Sequence, residues 1–148
     1  MINVSPPESE YVLSWQDFRF VPGIEDWIKL FNAQGYLVVV VTNQRGIAKG
    51  LISEEQLKEI HRRMVSELAS RGAIIDDVVY CPHEEGTCDC RKPRAGMVTR
   101  AVQTWDIDLK HSLLIGDSDR DEELAARCGL TFIKVHAGHI LSSTIRNA

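Results

Sequence analysis

The sequence contains no apolar run near the roughly 20 residues that cross a bilayer. Its N-terminus, Met1-Ile2-Asn3-Val4-Ser5-Pro6-Pro7-Glu8, has neither the basic flank nor the apolar centre of a signal peptide. Any Lys/Arg cluster is lacking too: 17 basic against 21 acidic residues leave a net charge of -4, a poor basis for tracking a phosphodiester backbone. At 44% hydrophobic residues, that charge is too small and the apolar content too high for disorder. No repeat, low-complexity tract or linker divides the 148 residues. One cytoplasmic, monomeric domain over residues 1–148 is expected, with neither a membrane nor a nucleic acid as partner.

What is present alternates between two periodicities. From Pro22 to Gly35, Ile24, Trp27, Ile28 and Phe31 recur at helical spacing, with Pro22 suited to the entry and Gly35 to the stop. Leu37-Val38-Val39-Val40-Val41 follows, apolar without alternation, which suits a strand covered on both faces. Ser53 and Gln56 have the spacing of a capping box, and Leu57, Ile60, Met64 and Leu68 form a stripe that ends at Gly72. Val78-Val79-Tyr80 reads as a short strand. Met97, Ala101 and Trp105, joined by Val98 and Val102, read as a third helical stripe. Leu113-Leu114-Ile115 predicts a strand stopping at Gly116-Asp117, Asp119 to Cys128 a short helix with Gly129 at its exit, and Thr131 to Val135 a last strand. The tail after Gly138 is expected to be peripheral. Strands alternating with helices predict an α/β fold with a parallel sheet, whose ligands bind beyond the carboxyl ends of the strands.

Three of the four cysteines fall in Cys81-Pro82-His83-Glu84-Glu85-Gly86-Thr87-Cys88-Asp89-Cys90. Three thiols and an imidazole fit a Cys3His zinc site, and with all four positions filled by protein the ion would staple the loop rather than activate water. A disulfide fits worse, because an odd number of loop thiols leaves one unpaired and nothing points to secretion. Cys128, alone on a helix, reads as a small buried hydrophobe. His61, His136 and His139 have no sequence partner that suggests chemistry.

Three further segments stand just beyond apolar runs. Thr42-Asn43-Gln44-Arg45-Gly46-Ile47-Ala48-Lys49-Gly50 offers hydroxyl, amide and backbone N–H groups suited to phosphate oxygens, or an ordinary polar turn. Arg91-Lys92-Pro93-Arg94 places three cations before a helix. A Lys there can neutralise a phosphate and an Arg can grip it bidentately, unless the loop is merely solvated. Gly116-Asp117-Ser118-Asp119-Arg120-Asp121 puts carboxylates at a strand end, suited to Mg2+. Asp117 is the best placed of them for a metal, and Asp119 or Asp121 can serve helix capping alone.

Taken in order, Thr42-Asn43-Gln44-x-Gly46-Ile47-Ala48, the Cys-x-His…Cys-x-Cys loop running into Arg91-Lys92-Pro93-x-x-Gly96-Met97, and Gly116-Asp117-x-x-x-Asp121 resemble the haloacid dehalogenase-like phosphatases. Within them, the heptose 1,7-bisphosphate phosphatase and histidinol phosphatase branch is the most similar. The resemblance implies a Rossmann-like parallel sheet flanked by helices and hydrolysis of a small sugar phosphate, most simply heptose 1,7-bisphosphate, with catalytic Mg2+ and structural Zn2+. It implies that Thr42 hydrogen-bonds the transferring phosphoryl group with Asn43 beside it, and that Lys92 holds the phosphate in register. It further implies that Arg91 contacts substrate, that Asp117 binds Mg2+ and that Asp121 supports it, while Cys81, His83, Cys88 and Cys90 hold zinc. Histidinol phosphatase, polynucleotide 3′-phosphatase and a non-catalytic phosphosugar-binding module are the alternatives.

The family's D-x-D-G, which ends its first, central strand and supplies an aspartyl-phosphate nucleophile and a general acid/base, has no counterpart near the N-terminus, where the first Asp is Asp17. Asp106-Ile107-Asp108 precedes a strand instead of ending one, and the other D-x-D placements lie in the metal segment. Ile2-Asn3-Val4 looks like the continuation of the absent motif, so the reading frame is expected to have been opened at an internal start codon. Burial of about five apolar side chains is worth on the order of 10 kcal/mol, close to a whole domain's stability. A sheet without its centre is therefore expected to be marginal, to express poorly or exchange a strand, and to show no turnover.

Overall fold

The computed structural model describes residues 2–7 and 10–136. His139 and the tail after Gly138 lie outside the described residues. In chain order the elements are α1 (Ile24–Ala33), β1 (Val39–Asn43), α2 (Glu54–Ser70), β2 (Asp77–Cys81), α3 (Gly96–Trp105), β3 (Leu113–Gly116), α4 (Asp119–Cys128) and β4 (Thr131–Lys134).

Local chemistry sets most of these bounds. The Ser53 hydroxyl accepts from the Gln56 amide at 3.1 Å and the Gln56 side chain accepts from the Ser53 amide at 2.8 Å, so the expected capping box starts α2. Leu57, Ile60, Met64 and Leu68 are its buried stripe. At the other end of the chain, Ser118 and Asp121 make a second box that starts α4, and Gly129, at φ +67, closes it. α1 has no side-chain cap: Gly23, in the left-handed region at φ +78, precedes it.

Two sequence expectations need correction. β1 begins at Val39, two residues later than the apolar run, and Leu37 is 47% exposed, because its place lies in the connection from α1. Trp105 is not part of the buried stripe of α3. Exposed at the helix end, it donates its indole N–H to Asp77 Oδ2 at 2.8 Å. Cys128 is half-buried and packs beside the Val98–Leu114–Leu124–Ala125 cluster, with burial pushing its thiol pKa up.

The strands form two parallel pairs, β1 with β2 and β3 with β4, and among the described residues no strand joins them. Val39 lies opposite Asp77 and Asn43 opposite Cys81 in the first pair, Leu113 opposite Thr131 and Gly116 opposite Lys134 in the second. Val38 and Val40 pack into a cluster with Ile28, Met64 and Leu68 of α1 and α2, whereas Val39 and Val41 pack into one with Met97 and Ala101 of α3. β1 is thus sandwiched between helical layers, as a non-alternating run requires. All five of its residues are nonetheless only half-buried. The reason is a cavity of about 480 Å³ bordered by β1 and β3, so the α/β parallel sheet is open in its middle.

Candidate functional site

The polar end of that cavity is lined by Thr42, Asn43, Lys92, Asp117 and Asp121, which come from three stretches of chain. β1 delivers Thr42 and Asn43 at its carboxyl end. The Asn43 side chain then works as an extra rung. Its Oδ1 accepts from the Lys92 amide at 2.9 Å and its Nδ2 donates to the Lys92 carbonyl at 3.3 Å. This two-point hold pins the Arg91–Lys92 loop to the strand. The Lys92 ammonium in turn donates to Asp121 Oδ1 at 2.7 Å and to the Val41 carbonyl at 3.1 Å. Gln44 Nε2 donates to Thr42 Oγ1 at 3.1 Å, which leaves the hydroxyl hydrogen free to point elsewhere.

Asp121 is 5% exposed, and each of its oxygens is engaged. Oδ2 accepts from the Ser118 hydroxyl at 2.6 Å and the Ser118 amide at 3.2 Å. Burial alone would raise its carboxyl pKa, but the Lys92 charge and the Ser118 hydrogen bonds outweigh burial and hold it below the usual carboxylate value. Asp121 therefore caps its own helix and positions Lys92 at once. Asp117, half-buried at the end of β3, makes no hydrogen bond or ion pair among the described residues and is the carboxylate at this mouth open to a cation. Asp119 is exposed and pairs with Lys134 at 3.0 Å, away from the mouth. Asp106, left-handed at φ 51, ends α3, while Asp108 accepts from the Lys110 amide at 2.9 Å; neither lies at the mouth.

Arg91 is 9% exposed, and its Nε and Nη1 are buried without a hydrogen-bond partner. A buried guanidinium with empty donors is costly, and an anion would relieve it.

Cys81, His83, Cys88 and Cys90 converge so that their ligand atoms all lie within 4.8 Å of one another. Cys81 Sγ stands 3.0 Å from Cys90 Sγ and 3.5 Å from Cys88 Sγ, and His83 Nδ1 stands 3.3 Å from Cys90 Sγ. All four cysteines of the chain are free thiols. Ligands on a tetrahedral zinc stand about 3.8 Å apart, so the donor set and its spacing fit a metal. Burial raises the thiol pKa of Cys81. For Cys88 burial acts upward too, but the Arg91 amide and the other thiols bring it down to about 7. Cys90, buried beside two thiols, is pushed up to about 12. Three thiolates this close cannot coexist without a cation among them.

Some partners escaped the sequence reading. Gly116 has no room for a side chain: a Cβ there would stand 2.4 Å from the Asp121 Cβ, so the close seat of Asp121 against β3 depends on that glycine. The Gly96 position is likewise closed, 2.7 Å from the Asp89 carbonyl, which locks α3 onto the end of the cysteine loop. That loop is also tied to both sides of the mouth, by an ion pair from Arg45 to Glu84 and one from Arg120 to Glu85. Only the glycines left a sequence signal, as small residues flanking the motifs.

Known proteins resemble this chain in sequence and in fold. The polynucleotide kinase 3 phosphatase family matches residues 4–134. A D-glycero-beta-D-manno-heptose-1,7-bisphosphate 7-phosphatase of Rhodopseudomonas palustris is 43% identical over 128 residues, covering 81% of this chain and 71% of that protein. A D-glycero-alpha-D-manno-heptose-1,7-bisphosphate 7-phosphatase of Campylobacter jejuni is 40% identical over 114 residues, covering 77% and 66%. The match thus spans 66–71% of the length of these two relatives. The solved D,D-heptose 1.7-bisphosphate phosphatase from B. bronchiseptica, complexed with magnesium and phosphate, superposes with a TM-score of 0.81 at 32% identity, covering 93% of this chain and 79% of that one. No helix among the described residues is long and apolar enough to cross a membrane. The motifs, the open parallel sheet and these likenesses agree: the chain belongs to the D-glycero-D-manno-heptose-1,7-bisphosphate 7-phosphatase family of haloacid dehalogenase-like phosphatases.

Proposed function

We propose that the mouth lined by Thr42, Asn43, Lys92 and Asp117, with Arg91 next to Lys92 in the same loop, binds the phosphate of a small sugar phosphate, heptose 1,7-bisphosphate at its 7-position being the leading candidate. The observation that carries this is the convergence of a hydroxyl, a fixed ammonium and an open carboxylate at the carboxyl ends of β1 and β3. Thr42 donates to a phosphoryl oxygen. Lys92, held at its backbone by Asn43 and at its ammonium by Asp121, neutralises the phosphate without reorganising, which is what phosphoryl transfer asks of a protein. Arg91 satisfies its buried donors on the same substrate. Asp117 fits Mg2+, with Asp121 excluded as a direct ligand by its existing bonds; bound there, the ion would shield phosphate charge. In the cysteine loop we assign zinc, held by Cys81, His83, Cys88 and Cys90, with a structural role.

The chain's own residues thus bind, orient and neutralise, and the family's attacking aspartate is not among those at the mouth. Calorimetric titration of the 148-residue protein with inorganic phosphate in the presence of Mg2+ tests the binding half. Saturable binding that weakens at least tenfold in Lys92→Ala is expected, and absence of binding refutes the assignment. Phosphate release from heptose 1,7-bisphosphate, histidinol phosphate and a 3′-phosphorylated oligonucleotide, measured on an N-terminally extended chain ending a strand in Asp-x-Asp-Gly, tests the substrate. Preference for the oligonucleotide would move the assignment to the activity named by the matching family.

A further inference from the structure

The three loop thiols are not equivalent. Cys81 and Cys90 are 0% and 3% exposed, whereas Cys88 is half-buried and His83 exposed, so the cluster meets solvent on its Cys88–His83 side. Cys88 Sγ lies 3.5 Å from Cys81 Sγ, and the stretch between them, Pro82 to Thr87, is half-buried or exposed throughout. Cys90 is the fixed member. Gly96 sits so close that a Cβ there would stand 2.8 Å from the Cys90 Cα, and the Gly96 amide donates to the Asp89 carbonyl at 3.1 Å. Only Asp89 separates Cys90 from Cys88, a span too short and stiff to close easily. An oxidant arriving from solvent therefore meets Cys88 first. The thiol within reach of it is Cys81, because the loop between them can bend and bring Cys88 down onto it. Both ends of the cluster are joined to the mouth. The Gln44 amide donates to the Cys81 carbonyl at 2.8 Å, and Arg91, which follows Cys90, bonds the Cys88 sulfur through its own amide.

We infer that the cysteine loop is a peroxide-responsive clasp: a hydroperoxide oxidises Cys88, Cys81 closes a disulfide on it, zinc is released and the neighbouring phosphate mouth loosens. The inference rests on the zinc and phosphate readings above and adds a regulation that neither implies. The Cys88 thiolate is the nucleophile. Its sulfur attacks the terminal oxygen of the hydroperoxide and the O–O bond breaks. The sulfur becomes a sulfenic acid, while the other oxygen leaves and takes up a proton, as water or an alcohol. The Cys81 sulfur then attacks the Cys88 sulfur, the S–O bond breaks, and the departing hydroxide is protonated to water. Two thiolates have together given two electrons to one peroxide. His83 and Cys90 alone are left as ligands, too few to hold a tetrahedral ion. The Arg91 amide meanwhile loses the anionic sulfur it bonded, and with it a hold on the residue that carries two unpartnered guanidinium donors. A dithiol reverses the disulfide by thiol exchange, so the clasp can be reset.

The experiment loads the full 148-residue protein with zinc, adds hydrogen peroxide, follows metal release with a chromogenic zinc dye and maps disulfides by mass spectrometry. Release should be at least tenfold faster than without peroxide, with one zinc freed for each Cys81–Cys88 bond formed, and dithiothreitol should restore zinc uptake. Cys128→Ser, which removes the thiol outside the loop, should release at the unaltered rate. Cys88→His keeps four donors of the kinds zinc accepts, and should hold the metal and release it at least tenfold more slowly under peroxide. The oxidised protein should bind inorganic phosphate, with Mg2+ present, at least threefold more weakly until dithiothreitol is added. Failure to take up zinc at all overturns the metal assignment and this inference with it. Zinc that binds but stays bound through peroxide treatment overturns the clasp alone. A Cys81–Cys90 bond, a bond to Cys128, or equal release from Cys88→His overturns Cys88 as the point of entry. Phosphate affinity unchanged by oxidation overturns the link to the mouth, whereas no phosphate binding before oxidation refutes the phosphate reading itself.

Discussion

The two regions proposed to bind ions are built on opposite plans. The cysteine site takes all four donors from one ten-residue loop, Cys81 to Cys90, so its geometry is mostly a matter of local turns. The proposed phosphate mouth is assembled from β1, the Arg91–Lys92 loop and the β3–α4 junction, which are far apart in sequence and meet across an open sheet. A local site can survive damage to the fold around it, whereas an assembled one reports on the whole fold. The single residue step from Cys90 to Arg91 joins the two.

The largest effect that would break this contrast is loss of the metal. Cys81→Ser, or chelation, should abolish stoichiometric zinc uptake and remove a binding energy of order 10 kcal/mol from the loop. Exchange should quicken from β2 through the start of α3 while β3, α4 and β4 keep their protection, as hydrogen-exchange mass spectrometry would show. Next comes Lys92→Met, which leaves the Asp121 carboxylate buried with Ser118 alone. Denaturant melts should show a loss of about 3 kcal/mol, with zinc uptake unchanged. Because Asp121 titrates below its ordinary value in the native state, the stability that Lys92 supplies is present above the unfolded carboxylate pKa. It fades as pH falls through the lower native value.

A third test needs no damage to either site. Burial pushes the His61 imidazole down to about 4 beside the Tyr80 ring. The unfolded chain therefore takes up a proton between about pH 6.5 and 4 that the native chain resists. Stability should fall across that window by at most about 3 kcal/mol, and His61→Gln should flatten the fall in urea melts recorded at each pH. The smallest effect is purely local: Ser53→Ala should remove the α2 capping box at a cost of about 1 kcal/mol, leaving metal and phosphate binding untouched.

The same division governs how much could be read before any coordinates. Ser53 with Gln56, the Leu57–Leu68 stripe, Gly129 and the cysteine loop are spelled out within a few residues each, and the structure places them where the spacing predicts. The Thr42, Lys92 and Asp117 segments are legible as polar ends of apolar runs. Their meeting at one mouth is legible through the parallel sheet, whose strand ends share one edge, and through the family resemblance, since no local rule brings residues 42, 92 and 117 together. What stayed hidden depends on neighbours distant in sequence. Trp105 leaves its stripe because Asp77 offers an acceptor, β1 starts late because Leu37 is still in the connection, and Glu84 and Glu85 find Arg45 and Arg120 across the cleft.

The grip of Asn43 on the Lys92 main chain has one more implication. An amide is the smallest side chain that can give and take a hydrogen bond side by side, so it imitates a peptide group and extends β1 by one rung sideways. Aspartate, nearly the same shape, could still receive from the Lys92 amide but would set its other oxygen against the Lys92 carbonyl. The cation's place is thereby geared to the strand: a shear of β1 by a single residue would turn Asn43 to the opposite face and carry the ammonium away with it.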